Sequence, residues 1–155
     1  MEEAVGPSKT AATGEAAAKS SEGAVKQGDT TTEESAQRMA AEIRAFESES
    51  IYFDFDKAEI RPEARVILEK KGEWLRSNPD FSLRIEGHCD ERGTNDYNLA
   101  LGDRRASAAA KFLKSLGVSS DRVSVLSYGE EQPADPGHNE AAWAKNRRDE
   151  FKLVK

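Results

Sequence analysis

Residues 82–86, Ser-Leu-Arg-Ile-Glu, alternate polar and apolar side chains as a half-buried strand does. Residues 51–55, Ile-Tyr-Phe-Asp-Phe, alternate in the same way, with Ile51, Phe53 and Phe55 on one face. Between these strands the period changes to that of a helix. Pro62 suits a first turn, Ala64, Ile67, Leu68 and Leu75 form an apolar stripe, and Asn78-Pro79 ends it. A longer helix is predicted over 95–116. Thr94, Asn95 and Asp96 are all N-cap candidates, and Gly117 is a good stop. A third strand is expected over 122–128 with Val123, Val125 and Ser127 inward, followed by a loop-rich stretch over 129–142 containing Pro133, Pro136 and Gly137. The last strand, 148–154, places Phe151 and Leu153 on one face, while Asp149 and Glu150 suggest a solvated start. The order β-α-β-α-β-β implies an α+β fold, an α/β sandwich in which a mixed four-stranded sheet carries helices packed on one side.

The stretch before this domain has a different character. Residues 1–32 are mostly Ala, Gly, Ser, Thr, Glu and Lys, with Val5 and Val25 the only branched apolar side chains and no aromatic. Such a segment buries too little to offset backbone ordering, about 1–2 kcal/mol per residue, and is expected to be a disordered tether with a reach of ~30 Å. Residues 33–48 place Ala36, Met39, Ala40, Ile43 and Phe46 at helical spacing, so a short amphipathic helix or linker is expected there, marginal unless it packs on something. The folded domain is assigned to 49–155.

Charge follows the same division. Residues 1–50 hold 10 acidic and 5 basic side chains, and 51–155 hold 19 and 18. An acidic leader on a near-neutral domain gives no electrostatic reason to bind nucleic acid. One cysteine, Cys89, cannot form an internal disulfide and leaves the redox compartment open. No run approaches 18 consecutive apolar residues, and no basic-then-apolar leader opens the chain, so it is expected to be soluble.

Candidate chemistry concentrates in residues 87–106, GHCDERGTNDYNLALGDRRA. Asp90 falls on a loop at a strand's end and Arg105 about two turns inside the next helix, so the two can face one cleft. On the residues alone the favoured reading is an internal salt bridge that ties loop to helix, because charge pairs are usually structural or surface features. His88-Cys89-Asp90-Glu91 has the residue types of a metal site or a Cys–His nucleophile. Neighbouring strand residues point to opposite faces, however, and the only other histidine is the distant His138. No metal, no cofactor and no catalysis are therefore expected. His88 is read as fixing the loop through a hydrogen bond, Cys89 as a small buried hydrophobe, and Trp74 and Trp143 as packing residues, Trp143 with the alternative of a protein-contact surface.

Phe53-Asp54-Phe55-Asp56, Gly87 to Thr94 (GHCDERGT), Ser127-Tyr128-Gly129 and Asn146-Arg147-Arg148 together resemble the OmpA-like peptidoglycan-binding domain over 51–155. GHCDERGT, SYGEEQP and HNEAAWAKNRR resemble its lipid-anchored outer-membrane members most closely. The family's helix pattern falls on Asn98, Leu101, Gly102, Arg105, Ala106, Ala109 and Leu113, with Gly102 in place of Ser and Ala109 in place of Val. The resemblance implies an OmpA C-terminal-like fold and a noncatalytic role: noncovalent binding of the peptidoglycan stem peptide at the zwitterionic end of meso-diaminopimelate. Asp90 matches the position that takes the ammonium and Arg105 the one that takes the carboxylate. Phe55 and Asp56 would line the cleft from the first strand, with Thr94, Asn98 and Leu101 opposite. Asn98 reads equally as a brace for the loop, and Phe55 equally as a rim core residue. Arg147 and Arg148 would brace the cleft or, with Arg104 and Arg105, form an anion patch. The resemblance further implies a TolB-like periplasmic partner, a place in the Tol-Pal system, and a lipid anchor on the periplasmic side of the outer membrane. No cysteine precedes Cys89, so that attachment is expected outside this chain.

Overall fold

Four strands form one mixed sheet, and two helices share its hydrophobic core. The structure is a computed structural model describing residues 28–155, with side chains from Thr32 onward. The elements are α1 (Gly28–Ser48), β1 (Ile51–Tyr52), α2 (Pro62–Ser77), β2 (Ser82–His88), α3 (Asn95–Ser115), β3 (Val123–Gly129), α4 (Glu140–Asn146) and β4 (Arg148–Val154). The expected tether lies, up to residue 27, outside the described residues; residues 28–32 already belong to α1, which begins five residues earlier than the apolar spacing suggested. The contacts divide the chain into Met1–Glu42 and Ile43–Lys155. In the first unit α1 contributes a local bond from the Arg38 guanidinium to Ser35 Oγ (3.1 Å).

The strand order is β1-β4-β2-β3: β2 and β3 run parallel, as the α3 crossover between them requires, and β4 pairs antiparallel with both β2 and β1. Leu83 and Ile85 of β2 and Phe151 of β4 meet Ala64, Leu68 and Leu75 of α2 and Ala106, Ala109 and Leu113 of α3 in one core. Each large apolar side chain fully removed from water there contributes about 1.5–3 kcal/mol. The last turn of α1 joins it through Phe46, whose ring lies 5.3 Å from that of Trp74, itself 5.2 Å from Phe81. Arg122 closes α2 by donating to the carbonyls of Leu75, Asn78 and Phe81 at 2.7–3.0 Å, which answers the negative end of the helix.

Two glycines set how closely α3 approaches the sheet. A Cβ on Gly87 would stand 1.8 Å from the carbonyl oxygen of Gly102, and one on Gly102 would stand 2.2 Å from Ser127 Oγ. Backbone meets backbone here.

Several expectations change. The first strand ends at Tyr52 rather than 55, because residues 54–57 form a turn closed by Lys57 N–H on the Asp54 carbonyl (3.1 Å), with Asp56 at φ 59°. Phe53 remains in the core, but Phe55 is 53% exposed and is not a core residue. Val125 is also exposed, since β3 is an edge strand. Asp149, expected in solvent, is wholly buried, because β4 is flanked on both sides by β1 and β2. Finally, part of the expected loop is helix: Asn139 caps α4 by accepting from Ala142 N–H (2.9 Å).

Candidate functional site

The loop leaving β2 is fixed from inside. Cys89 N–H donates to the Gly129 carbonyl (2.8 Å), and its thiol donates to the Asn98 carbonyl (3.2 Å). Asn98 Nδ2 lies within reach of the Asp90 and Arg92 carbonyls (3.3 and 3.1 Å) and of Glu130 Oε1 (2.6 Å), so Asn98, 2% exposed, braces the loop from the first turns of α3. Gly93, at φ 102°, makes the turn that lets α3 begin at once. Thr94 accepts from Tyr97 N–H (3.1 Å) and is the N-cap of α3.

A cleft of about 200 Å³ opens between this loop, α3 and the turn after β1. Phe55, Asp56, Asp90, Asn98, Leu101 and Arg105 line it, together with Cys89, Arg92, Gly93 and Tyr97. Six of the seven residues marked from the sequence are thus brought together. Thr94 is not among them; it stands exposed, occupied with capping. Arg92 and Tyr97 were not anticipated, although each had a signal. Arg92 follows Asp90 by two residues, the spacing of a side chain that folds back on its neighbour, and Tyr97 lies in the first turn of α3. The Tyr97 hydroxyl donates to the Asp56 carboxylate across the cleft mouth.

Arg105, 1% exposed, forms the floor. Its Nε donates to the Lys57 carbonyl (2.8 Å), Nη1 to that of His88 (2.9 Å) and Nη2 to that of Asp54 (3.1 Å), so one guanidinium joins the turn after β1, the end of β2 and α3. A guanidinium carries five N–H groups, which leaves two beyond these three bonds. Burial pulls its pKa below the ordinary value, against the opposing influence of Cys89, Asp149 and Asp90, and it stays charged at any ordinary pH. Behind it the Asp149 carboxylate has no hydrogen-bond partner, and burial raises its pKa well above the usual range despite the pull of Arg105.

Asp90, 4% exposed, does not pair directly with Arg105, so an internal Asp90–Arg105 salt bridge is not what the fold makes. Its carboxylate accepts from Arg92 through N–H (3.0 Å), Nε (3.2 Å) and Nη2 (2.9 Å), and Arg147 Nη1 lies 3.6 Å away. Burial pushes its pKa up, but the Arg92 hydrogen bonds and the charges of Arg92 and Arg147 together outweigh that and hold it below the ordinary value. The Arg92 guanidinium lies 4.0 Å from the centre of the Phe55 ring and 4.1 Å from that of Trp143, a cation between two aromatic faces. Trp143 Nε1 in turn donates to Glu91 (3.0 Å), which also meets His138 Nδ1 (2.7 Å). Arg147 donates to the Phe53 carbonyl (2.8 Å) and pairs with Glu140, bracing the cleft from the end of α4.

His88 departs from expectation. Its carbonyl serves Arg105, but both ring nitrogens are buried without a hydrogen-bond partner, so the side chain does not fix the loop. Burial and then the Arg148 charge lower its pKa to about 4. Cys89 is buried as expected, with its thiol pushed up to about 11, chiefly by burial.

The cleft is therefore lined by the Asp90 carboxylate, held by Arg92, and by the Arg105 guanidinium, held by three backbone carbonyls. Comparison with known proteins agrees with the fold and the motifs. The peptidoglycan-associated lipoprotein of Brucella melitensis biotype 1 is 48% identical over 98 residues, which make up 63% of this chain and 58% of that protein. The chain thus spans less than two thirds of that relative's length. The crystal structure of the peptidoglycan-associated lipoprotein from Burkholderia pseudomallei matches with a TM-score of 0.67 at 41% identity, covering 68% of this chain and 89% of that one. The C-terminal domain of Helicobacter pylori MotB, 21% identical, shares the fold with a TM-score of 0.65, covering 69% of this chain and 84% of that one. The OmpA family model matches residues 52–147, and this chain belongs to the OmpA family.

Proposed function

We propose that this protein binds peptidoglycan noncovalently and holds the outer membrane to the cell wall, gripping the stem peptide at the free amino-acid end of meso-diaminopimelate. That end carries an ammonium and a carboxylate on one carbon. Asp90 receives the ammonium, and the two remaining N–H groups of Arg105 receive the carboxylate oxygens. The observation that carries this reading is that both groups line one cleft, each held by its own internal bonds rather than neutralised by the other. Charge-assisted hydrogen bonds contribute about 1.5–3 kcal/mol each, so a few of them with contacts from Phe55 and Leu101 support micromolar affinity, about −8 kcal/mol. No bond is made or broken. The names of the relatives support the ligand class. Attachment by a lipid on the periplasmic side of the outer membrane, a TolB-like partner and a place in the Tol-Pal system rest on the motif resemblance. Among the described residues no helix is long and apolar enough to cross a membrane.

Titration calorimetry with a diaminopimelate-containing stem peptide tests the grip. Saturable binding is expected, weakened tenfold or more (~1.4 kcal/mol) by Asp90→Asn and by Arg105→Ala. Unchanged affinity in folded variants overturns it. Pull-down with purified sacculi and, separately, with TolB distinguishes a wall anchor from a protein-interaction module that has lost the wall.

A further inference from the structure

Strand pairing gathers a second cluster on the sheet face opposite the core. Leu83 and Ile85 point to the helices, so Glu86 and His88 belong to the other face, and the antiparallel register sets Glu86 directly opposite Glu150 of β4. One donor atom each from Glu86, His88 and Glu150 lie within 4.8 Å of one another. Two carboxylates facing each other across a ladder repel, and Glu86 is only 4% exposed. Beside them stands the His88 imidazole, 1% exposed, with neither nitrogen bonded and its ring stacked on Tyr128 at 5.4 Å. A buried imidazole with both nitrogens unused is costly unless something binds it.

We propose that Glu86, His88 and Glu150 form a binding site for a divalent transition-metal ion of the zinc type. One imidazole nitrogen and two carboxylate oxygens are the donor set such ions take, and water completes the coordination. Three cationic side chains, Arg84, Arg148 and Lys152, stand beside the two carboxylates. Arg84 bonds only Oε2 of Glu86 (2.9 Å) and Arg148 only Oε2 of Glu150 (2.7 Å), so each carboxylate keeps Oε1 for the metal while its other oxygen is held, as ligating carboxylates commonly are. Lys152, with Nζ 3.6 Å from Glu150 Oε1, is the one side chain that must withdraw, and it is 40% exposed and free to swing into water. The site cross-links the two central strands beside the His88 carbonyl that supports Arg105.

Calorimetry with zinc on the chelator-stripped full chain, repeated with cobalt(II) absorption, tests this independently of any wall ligand. One ion per chain is expected. Glu150→Gln, at a half-buried position that leaves the core untouched, should weaken binding tenfold or more, Lys152→Gln should tighten it severalfold, and His138→Ala should change nothing. Absence of saturable zinc binding, indifference to Glu150→Gln, or loss of binding in His138→Ala overturns the assignment.

Discussion

Asp90 is held by Arg92, two residues along the same loop, through one backbone and two side-chain hydrogen bonds, while the Arg92 guanidinium is fixed between Phe55 and Trp143. The carboxylate proposed to receive a ligand ammonium thus already has an internal cation against it. Arg92→Ala removes a competing positive charge and is expected to tighten stem-peptide binding by up to tenfold, with Arg92→Lys closer to the parent. Calorimetry reads this directly, and weaker binding in Arg92→Ala would show that the guanidinium helps the ligand instead.

Arg105→Lys keeps the charge but not the fork. Three carbonyls from separate segments lose partners that a single ammonium cannot replace, each at about 1–3 kcal/mol when left buried and unbonded. Thermal melting should fall and stem-peptide binding should drop by at least tenfold. In the parent protein, amidating the diaminopimelate carboxylate should weaken binding without changing stability, which separates the ligand contact from the structural one.

Gly102 offers a test of sign. Helix propensity alone predicts that Gly102→Ala stabilises α3 by about 1 kcal/mol. The close approach predicts the reverse, since the new Cβ would lie 2.2 Å from Ser127 Oγ and 2.9 Å from the Gly87 carbonyl oxygen. Chemical denaturation should find Gly102→Ala destabilised by about 1–3 kcal/mol, and Gly87→Ala by at least as much, because its Cβ meets only backbone.

Lys71 carries a buried charge, donating to the Phe46 carbonyl between the Phe46 and Phe151 rings, and burial lowers its pKa from 10.5 to about 8. The folded state resists the charged form, so the cost, about 3 kcal/mol, is fully present below pH 8 and disappears as pH rises from 8 to 10.5. Lys71→Met loses the hydrogen bond and the ring contacts but not the apolar stem. It is expected to be about 1–2 kcal/mol more stable at pH 7, with the gap closing between pH 8 and 10.5 in denaturation curves.

Local pattern and composition were enough to place α2, β2, α3 and β4, because alternation, stripes, Pro62 and Gly117 act over a few residues. The motif around Asp90 and the helix position of Arg105 were legible for the same reason, and so were both readings of Asn98, which in the fold braces the loop and also lines the cleft. Tertiary structure decided the rest. Phe55 left the core because a turn at Asp56 ended its strand, Asp149 was buried because its strand became central, and Asp90 took Arg92 and Arg147 as partners. Glu86, His88 and Glu150 met only when β2 and β4 paired. Sequence determines what each segment can form within its own few residues; which side chains lose water, and which distant charges come to face each other, depends on how those segments pack.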